Sequence, residues 1–380
     1  MFWGIGRLLA ALGTQSIEVY EWSESDIRKK RLPNGPLWAN LAQPKPALQF
    51  NGWELAQAVT KADYLIDRNF LLPGLGFLLQ LDMIVDFHSA ANLSLVSGSP
   101  ATLNDFTRTS LSGRLAQGLS ILFAQQNNYR FVGHLASDPA VQAHLASGTS
   151  KTEQVADFLF EGAAKDRMIL ESKGSFAQAD NHPSRIKSVL KNALEDQVDY
   201  WMSKVIPSAT KGFAVYSCLR EAGNPTPSAL IFVDPPIKTD PDPIELPEAW
   251  VRRRNYAAWM RAMGFDQTAT ALREGARDDR RSAALPVITI EGRRFAMSNF
   301  FRQDKWGRWL CTGLDVSVMT AIGRSLRGDD TDLMAIEGTP STDSAKAPLA
   351  DRNWSIFPDG SFFGLVDEND MPIDLEFFEL

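Results

Sequence analysis

The stretch KTEQVADFLFEGAAKDRMILESKGSF, residues 151–176, decides the fold that we predict for this chain. It contains two short apolar runs, residues 155–161 and 167–173, that have the composition of β-strands. Residues 162–165 between them are turn-like, and a glycine ends the second run. The stretch therefore predicts a β-hairpin.

Three polar side chains occupy unexpected places in this hairpin. Asp157 interrupts the first apolar run, while Glu171 and Lys173 end the second. If residues 162–165 close the turn, Asp157 lies almost opposite Leu170, and a shift of one residue places it beside Glu171. Because side chains alternate between the two faces of a strand, Glu171 and Lys173 share one face. Two carboxylates and a lysine are therefore predicted to converge at one end of the hairpin.

This group of side chains suits metal-dependent chemistry on a phosphate. Mg²⁺, or Mn²⁺ in its place, takes oxygen ligands and needs few protein carboxylates, so Asp157 and Glu171 are the candidate ligands. Ser172 points to the opposite face of the strand, and its backbone carbonyl is a further candidate ligand. Lys173 can stabilise charge on a phosphate or help to orient the attacking water.

Two alternatives stay open at this point. Glu161 and Asp166 compete with Asp157 as the second acid, Glu161 from the same strand face and Asp166 from the start of the next run. The polar residues can also form an ordinary surface edge, with a salt bridge worth about 0–1 kcal/mol.

The spacing D-(x)13-E-S-K resembles the motif of the PD-(D/E)xK nuclease superfamily, although Ala156 stands where a proline usually precedes the aspartate. The surrounding pattern is similar too, because a helix and a strand come before the hairpin and a helix and strands follow it. These predicted elements are helix 107–127, strand 129–135, helix 184–205 and strands 212–219 and 229–233. The resemblance implies an α/β fold with a restriction-endonuclease-like αβββαβ core and a mixed central sheet, flanked by N-terminal and C-terminal α+β regions.

Two helices bear on how closely the chain follows that superfamily. Many members carry a glutamate on the first core helix as a further metal ligand, whereas the inward candidates here are Gln117 and Gln125. On the helix after the hairpin, Gln197 and Tyr200 have a spacing close to the Q-x-x-x-Y pattern of some members. Gln197 is expected to orient the attacking water or a phosphate; the alternative is a solvated residue on an amphipathic helix.

The resemblance implies a metal-dependent nuclease that hydrolyses phosphodiester bonds, of DNA more often than of RNA, in a restriction, repair or phage-defence setting. Its catalytic residues are then Asp157, Glu171, Lys173 and Gln197. The alternative is a degenerate nuclease fold that has lost cleavage and serves as a nucleic-acid-binding or protein-interaction scaffold in a complex, because fold and activity are separable. Partner subunits or a homo-oligomer fit either function.

Composition divides the chain into four parts. Residues 1–105 are predicted to form an N-terminal accessory region and residues 106–234 the nuclease-like core. Residues 235–247 are a proline-rich linker, and residues 248–380 form a C-terminal accessory domain that is basic and aromatic in parts.

The accessory regions carry aromatic and basic residues, each with a structural and a binding interpretation. The N-terminal region holds Trp22, Trp38 and Trp53, which are predicted to pack in the interior, with base stacking as the alternative. Five arginines of the C-terminal region are candidate contacts to a phosphate backbone, with ion pairing on a helix surface or a protein interface as the alternatives. They are Arg252, Arg253, Arg254, Arg293 and Arg294.

The overall composition excludes several classes of protein. The net charge is −7, so any nucleic-acid surface must be local. Two cysteines and four scattered histidines form no zinc pattern, and the scarcity of cysteine favours a reducing compartment. The apolar stretches are too short and too interrupted to cross a bilayer. We therefore expect a cytoplasmic protein without a membrane partner.

Overall fold

A computed structural model describes residues 14–29, 42–66, 84–86, 92–148, 150, 153–176, 183–237, 243–276, 282–302, 308–338, 353–367 and 375–380, with the backbone alone at 14 and 299–302. The strands are β1 (Thr14–Glu21), β2 (Gln43–Asn51), β3 (Tyr129–His134), β4 (Phe158–Gly162), β5 (Arg167–Ser175), β6 (Val205–Ile206), β7 (Lys211–Cys218), β8 (Ala229–Val233), β9 (Ile244–Glu245), β10 (Ser282–Ile290), β11 (Arg293–Arg302), β12 (Arg308–Asp315), β13 (Trp354–Ile356), β14 (Ser361–Asp367) and β15 (Leu375–Glu379).

The helices are α1 (Glu24–Arg28), α2 (Gly52–Leu65), α3 (Ser99–Thr102), α4 (Asp105–Gln126), α5 (Pro139–Ala146), α6 (Pro183–Ala193), α7 (Asp199–Lys204), α8 (Trp250–Ala262), α9 (Asp266–Glu274), α10 (Val316–Leu326) and α11 (Thr331–Ala335). A π-helical turn (Leu194–Val198) joins α6 to α7. The single long helix predicted at 184–205 is therefore interrupted.

Seven strands form a mixed sheet in the order β2-β1-β8-β7-β5-β4-β3. Strands β3, β4 and β5 pair antiparallel, whereas β5 and β7 run parallel. A parallel pair needs a long crossover connection, which α6, the π-helical turn and α7 provide here. The chain is therefore an α/β protein, and the predicted hairpin lies inside its main sheet.

A second sheet contains six strands in the order β13-β14-β12-β11-β10-β15. Its β13 and β14 pair antiparallel as a hairpin. Helix α10 packs so closely on β15 that a Cβ atom at Gly323 would lie 2.5 Å from the Glu379 carbonyl oxygen.

The N-terminal and C-terminal regions pack on the central elements through one continuous hydrophobic core that extends from Ile17 to Leu380. Strands β1 and β2, from the region expected to be accessory, continue the main sheet through a parallel β1–β8 pair. On the opposite edge, α8 covers β3, because the Val132 amide donates to Asn255 Oδ1 at 3.1 Å. A covered edge strand cannot pair with another chain.

A fully buried ion pair joins α2 to the C-terminal hairpin. Lys61 and Asp359 are both 0% exposed, and Asn255 of α8 donates to Asp359 Oδ2 at 2.7 Å. Burial alone would raise the pKa of Asp359, but the Lys61 ammonium and the hydrogen bonds to the carboxylate hold that pKa below its usual range. The pair therefore connects three parts of the chain that are far apart in sequence.

The predicted interior role of the N-terminal tryptophans is confirmed for two of them. Trp22 and Trp53 are 0% exposed, so neither offers a face to a base. Trp38 lies outside the described residues. No helix among those described is both long and apolar enough to cross a membrane.

Candidate active site

The register of the β4–β5 hairpin determines where the acidic residues meet. Phe158 pairs with Leu170, and Glu161 pairs with Arg167. Asp157, one residue before β4, therefore lies beside Glu171 and not opposite Leu170. Of the two registers considered from sequence, the structure has the one that brings the two acids together.

Asp157 and Glu171 are held by backbone hydrogen bonds that cross between them. The Asp157 amide donates to Glu171 Oε2 at 3.0 Å, and the Ser172 amide donates to Asp157 Oδ2 at 3.1 Å. Each carboxylate is thus oriented by the main chain of the other strand. Such bonds to ionised acceptors are stronger than neutral ones and limit side-chain rotation.

Lys173 completes the predicted group. Its ammonium lies 2.5 Å from Glu171 Oε1, and its side chain is 37% exposed whereas that of Glu171 is 2% exposed. The lysine thus reaches from a buried acid towards solvent, where a substrate phosphate can approach. The hydroxyl of Ser172 faces away, 2.9 Å from Ser120 Oγ on α4, as the strand alternation predicted.

The electrostatics of the site disfavour two negative charges. Burial raises the pKa of Asp157 to about 6, although the Ser172 amide, Lys173 and Gln117 favour its ionised form. Burial, together with the neighbouring Asp157 carboxylate, raises the pKa of Glu171 to about 8 despite the ion pair with Lys173. Two close carboxylates with raised pKa values are stabilised in their ionised form by a further cation.

Helix α4 supplies a glutamine to this site. The Gln117 side chain hydrogen-bonds to the Asp157 carboxylate and lowers its pKa, so the inward orientation expected for Gln117 is confirmed. The helix lies directly on β5, because a Cβ atom at Gly174 would be 2.3 Å from the Ser112 carbonyl oxygen. Glycine is thus required next to Lys173, and it brings α4 close enough for Gln117 to reach Asp157.

Gln197 has a different contact from the one expected. It is 5% exposed, and its Nε2 donates to the Val155 carbonyl at 2.9 Å, two residues before Asp157. Trp201, one turn further on, donates from Nε1 to the Gln154 carbonyl at 2.8 Å. The π-helical turn carries Gln197, and insertions of this kind are common at functional sites. Gln197 and Trp201 therefore position the segment that leads into Asp157, and Gln197 is not a solvated surface residue.

Tyr200 is the second residue of the predicted Gln–Tyr pattern, and it makes a different contact from Gln197. Its hydroxyl is 2.7 Å from His144 Nε2, and the two rings stack with centroids 6.3 Å apart. This contact braces α5 against α7 beside the positioned segment.

The two acids that competed with Asp157 are engaged elsewhere. Glu161 is 1% exposed and bonds to Arg252 at 2.7 Å and to Arg167 at 3.4 Å. Asp166 hydrogen-bonds to the Tyr129 hydroxyl at the turn. Asp157 is therefore the acid that faces Glu171.

The donor set fits a divalent cation that needs few protein ligands. Asp157 and Glu171 supply two carboxylates. The remaining predicted ligand is the backbone carbonyl of Ser172. No cluster of three or more His, Cys, Asp or Glu side chains occurs within the described ranges, so any cation here would keep several waters. Mg²⁺ is commonly bound in this way.

The five arginines expected to contact phosphates all have acidic partners in this structure. Arg252 and Arg254 are 1% and 6% exposed, so their guanidinium groups are not available to a nucleic acid, in contrast to the prediction. They hold α8 against the main sheet, since an arginine at a buried site needs a paired acid. The pairs are Arg252–Glu161, Arg253–Asp330, Arg254–Asp138, Arg293–Asp315 and Arg294–Glu376.

Comparisons of the chain with protein-family models, with curated proteins and with solved structures gave no match. The candidate site therefore rests on its own geometry.

Proposed function

We propose that this protein is a Mg²⁺-dependent nuclease that hydrolyses phosphodiester bonds, with DNA as the favoured substrate. The observation that carries the proposal is the register of the hairpin. It places Asp157 beside Glu171 and puts the exposed amine of Lys173 on the same carboxylate. The order of the elements supports it as well, since α4, β3, β4, β5, the α6–α7 crossover and β7 follow the αβββαβ order of restriction-endonuclease-like cores, with the short helix α5 inserted between β3 and β4.

The side chains have separate tasks in this proposal. Asp157 and Glu171 hold the cation, which when bound activates water and offsets charge on the phosphate. Lys173 places a positive charge where the transition state gains negative charge. Gln197 and Trp201 act indirectly, by fixing the main chain before Asp157. Gln117 orients the Asp157 carboxylate.

A second candidate function is a nuclease-like scaffold that binds nucleic acid or a protein without cutting. One observation favours it: the helix that supplies an acid in many PD-(D/E)xK nucleases supplies Gln117 here. With one carboxylate fewer, the affinity for a cation is lower. Metal-dependent cleavage separates the two functions.

The test is cleavage of plasmid, linear duplex, single-stranded DNA and RNA with Mg²⁺, Mn²⁺ or EDTA. Lys173→Ala and Glu171→Ala are the site variants. Lys165→Ala is the matched control, because Lys165 also pairs with a glutamate, Glu248, at 2.8 Å but lies at the turn. We expect cleavage that needs metal, disappears in both site variants and persists in the control. Folded wild-type protein that cuts none of the four substrates contradicts the proposal and favours the scaffold.

A further inference from the structure

The π-helical turn that carries Gln197 is tied to the N-terminal region by one arginine. Arg28, the last residue of α1, donates from Nη2 to Asp199 Oδ2 at 2.6 Å and from Nη1 to Glu195 Oε1 at 3.4 Å. Glu195 lies within the turn, and Asp199 follows it directly. A single guanidinium therefore spans the turn, while Gln197, between the two acids in sequence, donates to the Val155 carbonyl.

The turn depends on contacts from outside the helix to keep its shape. π-Helical turns are rare and occur mostly at functional sites. Glu195 and Asp199 are four residues apart, and like charges at that spacing destabilise a helix. The Asp199 side chain is 9% exposed, so its charge needs a partner, which Arg28 provides. Lys191 also pairs with Glu195 but is further away, at 3.8 Å.

The shape of this turn determines where two side chains of the crossover point. Successive residues of an α-helix lie about 100° apart around its axis. If the π-helical turn became α-helical, the loss of its extra residue would rotate α7 relative to α6 by about that angle. Gln197 and Trp201 could not then both keep their bonds to the carbonyls of Val155 and Gln154.

Arg28 is itself held in a fixed position. Its Nε donates to Glu24 Oε1 at 2.5 Å, one turn earlier in α1. Ile27 is 0% exposed and belongs to the main hydrophobic core. Lys187 of α6 donates to the Lys29 carbonyl at the end of α1, where a cation is favoured. Strand β1, shortly before α1, is part of the main sheet. The guanidinium therefore projects from an element that is anchored independently of the turn.

We propose that Arg28 is a positioning residue for the Asp157–Glu171 site and acts through the π-helical turn. It keeps the turn in the form in which Gln197 and Trp201 hold the main chain before Asp157. The inference rests on the proposed function and extends it to the N-terminal region, which is then part of the catalytic unit. Among the contacts of the described residues, Arg28 touches neither acid of the pair, so it affects their geometry alone.

The experiment compares two variants of the full chain, Arg28→Ala and Arg28→Lys, with the wild type. The readouts are kcat and KM of metal-dependent cleavage and, separately, the affinity for Mn²⁺ in calorimetric titration. Arg28→Lys keeps the charge, but one ammonium cannot span both acids as the guanidinium does. Arg253→Ala is the matched control, because Arg253 also donates two hydrogen bonds, to Asp330 at 3.1 and 2.7 Å, and is partly exposed on α8.

Arg28→Ala is expected to lower both kcat and the affinity for Mn²⁺ about tenfold, as is typical when residues that orient metal ligands from outside are removed. KM should change little, because Arg28 is not placed to contact the substrate. Arg28→Lys should give an intermediate loss, and Arg253→Ala should match the wild type.

A double variant tests whether Arg28 acts through the turn. If it does, adding Arg28→Ala to Gln197→Ala lowers kcat by clearly less than it does in the wild-type background, because the turn has already lost one of its contacts with the segment before Asp157. Two losses that simply multiply mean that Arg28 acts independently of the turn, which overturns the inference.

The remaining outcomes separate this inference from the nuclease function itself. If Arg28→Ala cleaves and binds Mn²⁺ as Arg253→Ala does, the positioning role is overturned and the nuclease function stands. A wild type that binds Mn²⁺ without cleaving contradicts the nuclease function, and the Mn²⁺ affinity of Arg28→Ala then decides the positioning role. A wild type that does neither overturns both. If Arg28→Ala does not fold, Arg28→Lys decides, and a wild-type kcat in that variant overturns the inference.

Discussion

The main-chain amide of Asp157 donates a hydrogen bond to Glu171 Oε2 at 3.0 Å, and the Asp157 carboxylate accepts one from the amide of Ser172, the residue after Glu171, at 3.1 Å. These hydrogen bonds fix both carboxylates relative to the main chain, so the two side chains are already oriented before a cation binds. Preorganisation of this kind is what a catalytic site requires. It also lowers stability when both carboxylates are ionised and no cation is bound.

Without a divalent cation, the protein is expected to lose stability as the pH rises through neutrality. Burial raises the pKa of both Asp157 and Glu171 in the folded state. The folded protein therefore binds more protons than the unfolded chain from the ordinary carboxyl range up to about pH 8, and its free energy of unfolding falls as the pH rises across that window. Urea unfolding at about pH 5 and about pH 8, with Mg²⁺ and with EDTA, measures this.

Mg²⁺ is expected to restore the stability lost at the higher pH, because it binds the ionised pair. The variant Glu171→Gln serves as control, since it removes one of the two charges. Its stability should depend less on pH and should not respond to Mg²⁺. If the free energy of unfolding of the wild-type protein in EDTA rises with pH across the same window, repulsion between the Asp157 and Glu171 carboxylates is contradicted.

Trp201→Phe is expected to lower metal-dependent cleavage about tenfold or more, because misplacement of a catalytic group by a fraction of an ångström is costly. The substitution removes the N–H that bonds to the Gln154 carbonyl, together with part of the buried indole ring. Trp259→Phe is the matched control, since Trp259 donates to the Gly313 carbonyl at 2.7 Å and is equally buried, but far in sequence from Asp157.

Both tryptophan variants should lose a similar free energy of unfolding, about 1–2 kcal/mol for one buried hydrogen bond and a further loss for the smaller buried ring. Only Trp201→Phe should reduce kcat. Equal activity of the two variants means that Trp201 supports the fold and does not position Asp157.

Gln117→Glu is expected to raise affinity for Mn²⁺ and to lower stability in EDTA at neutral pH. The glutamine contacts the Asp157 carboxylate, so a glutamate there adds a third carboxylate to the pair and a further repulsion when no cation is bound. Calorimetric titration with Mn²⁺ measures the affinity. Gln125→Glu on the same helix is the control, and a similar gain in both variants contradicts a specific role for position 117.

Arg252→Met is expected to cost about 3–5 kcal/mol of unfolding free energy, because it leaves the buried Glu161 without its closest partner. Arg253→Ala removes a half-exposed pair with Asp330 and should cost about 0–1 kcal/mol. Chemical denaturation measures both. Neither variant is expected to change how nucleic-acid affinity depends on salt concentration. A weaker salt dependence in folded Arg253→Ala would show that Arg253 contacts a phosphate.

The sequence predicted the elements around the site better than their exact alignment. The hairpin, helix α4 and strand β8 follow from apolar periodicity and turn residues, which are local signals. Of the two registers considered, the structure has the one shifted by one residue, because the turn extends to Asp166, with Lys165 at φ 64°. Lysine gives no sign in sequence of a left-handed position, which glycine or asparagine usually takes.

The contacts of Gln197 and Arg252 were beyond sequence reasoning for two different reasons. Gln197 and Trp201 bond to backbone carbonyls, and since every residue has one, no residue type marks the acceptor. Arg252 pairs with Glu161, which lies 91 residues earlier in the chain. The sequence shows only a run of basic residues, which is also typical of a solvent-exposed helix surface.

The buried pair of Lys61 and Asp359 bears on how the chain folds as it is made. The two residues are 298 positions apart, so the ribosome adds the residues between them before the hairpin that carries Asp359 emerges. Until Asp359 is available, burial of the Lys61 ammonium without a paired acid costs free energy, and this cost opposes the packing of α2 in its final buried position. A product cut short before residue 359 is therefore expected to expose α2 and to be a preferred target of cellular proteases.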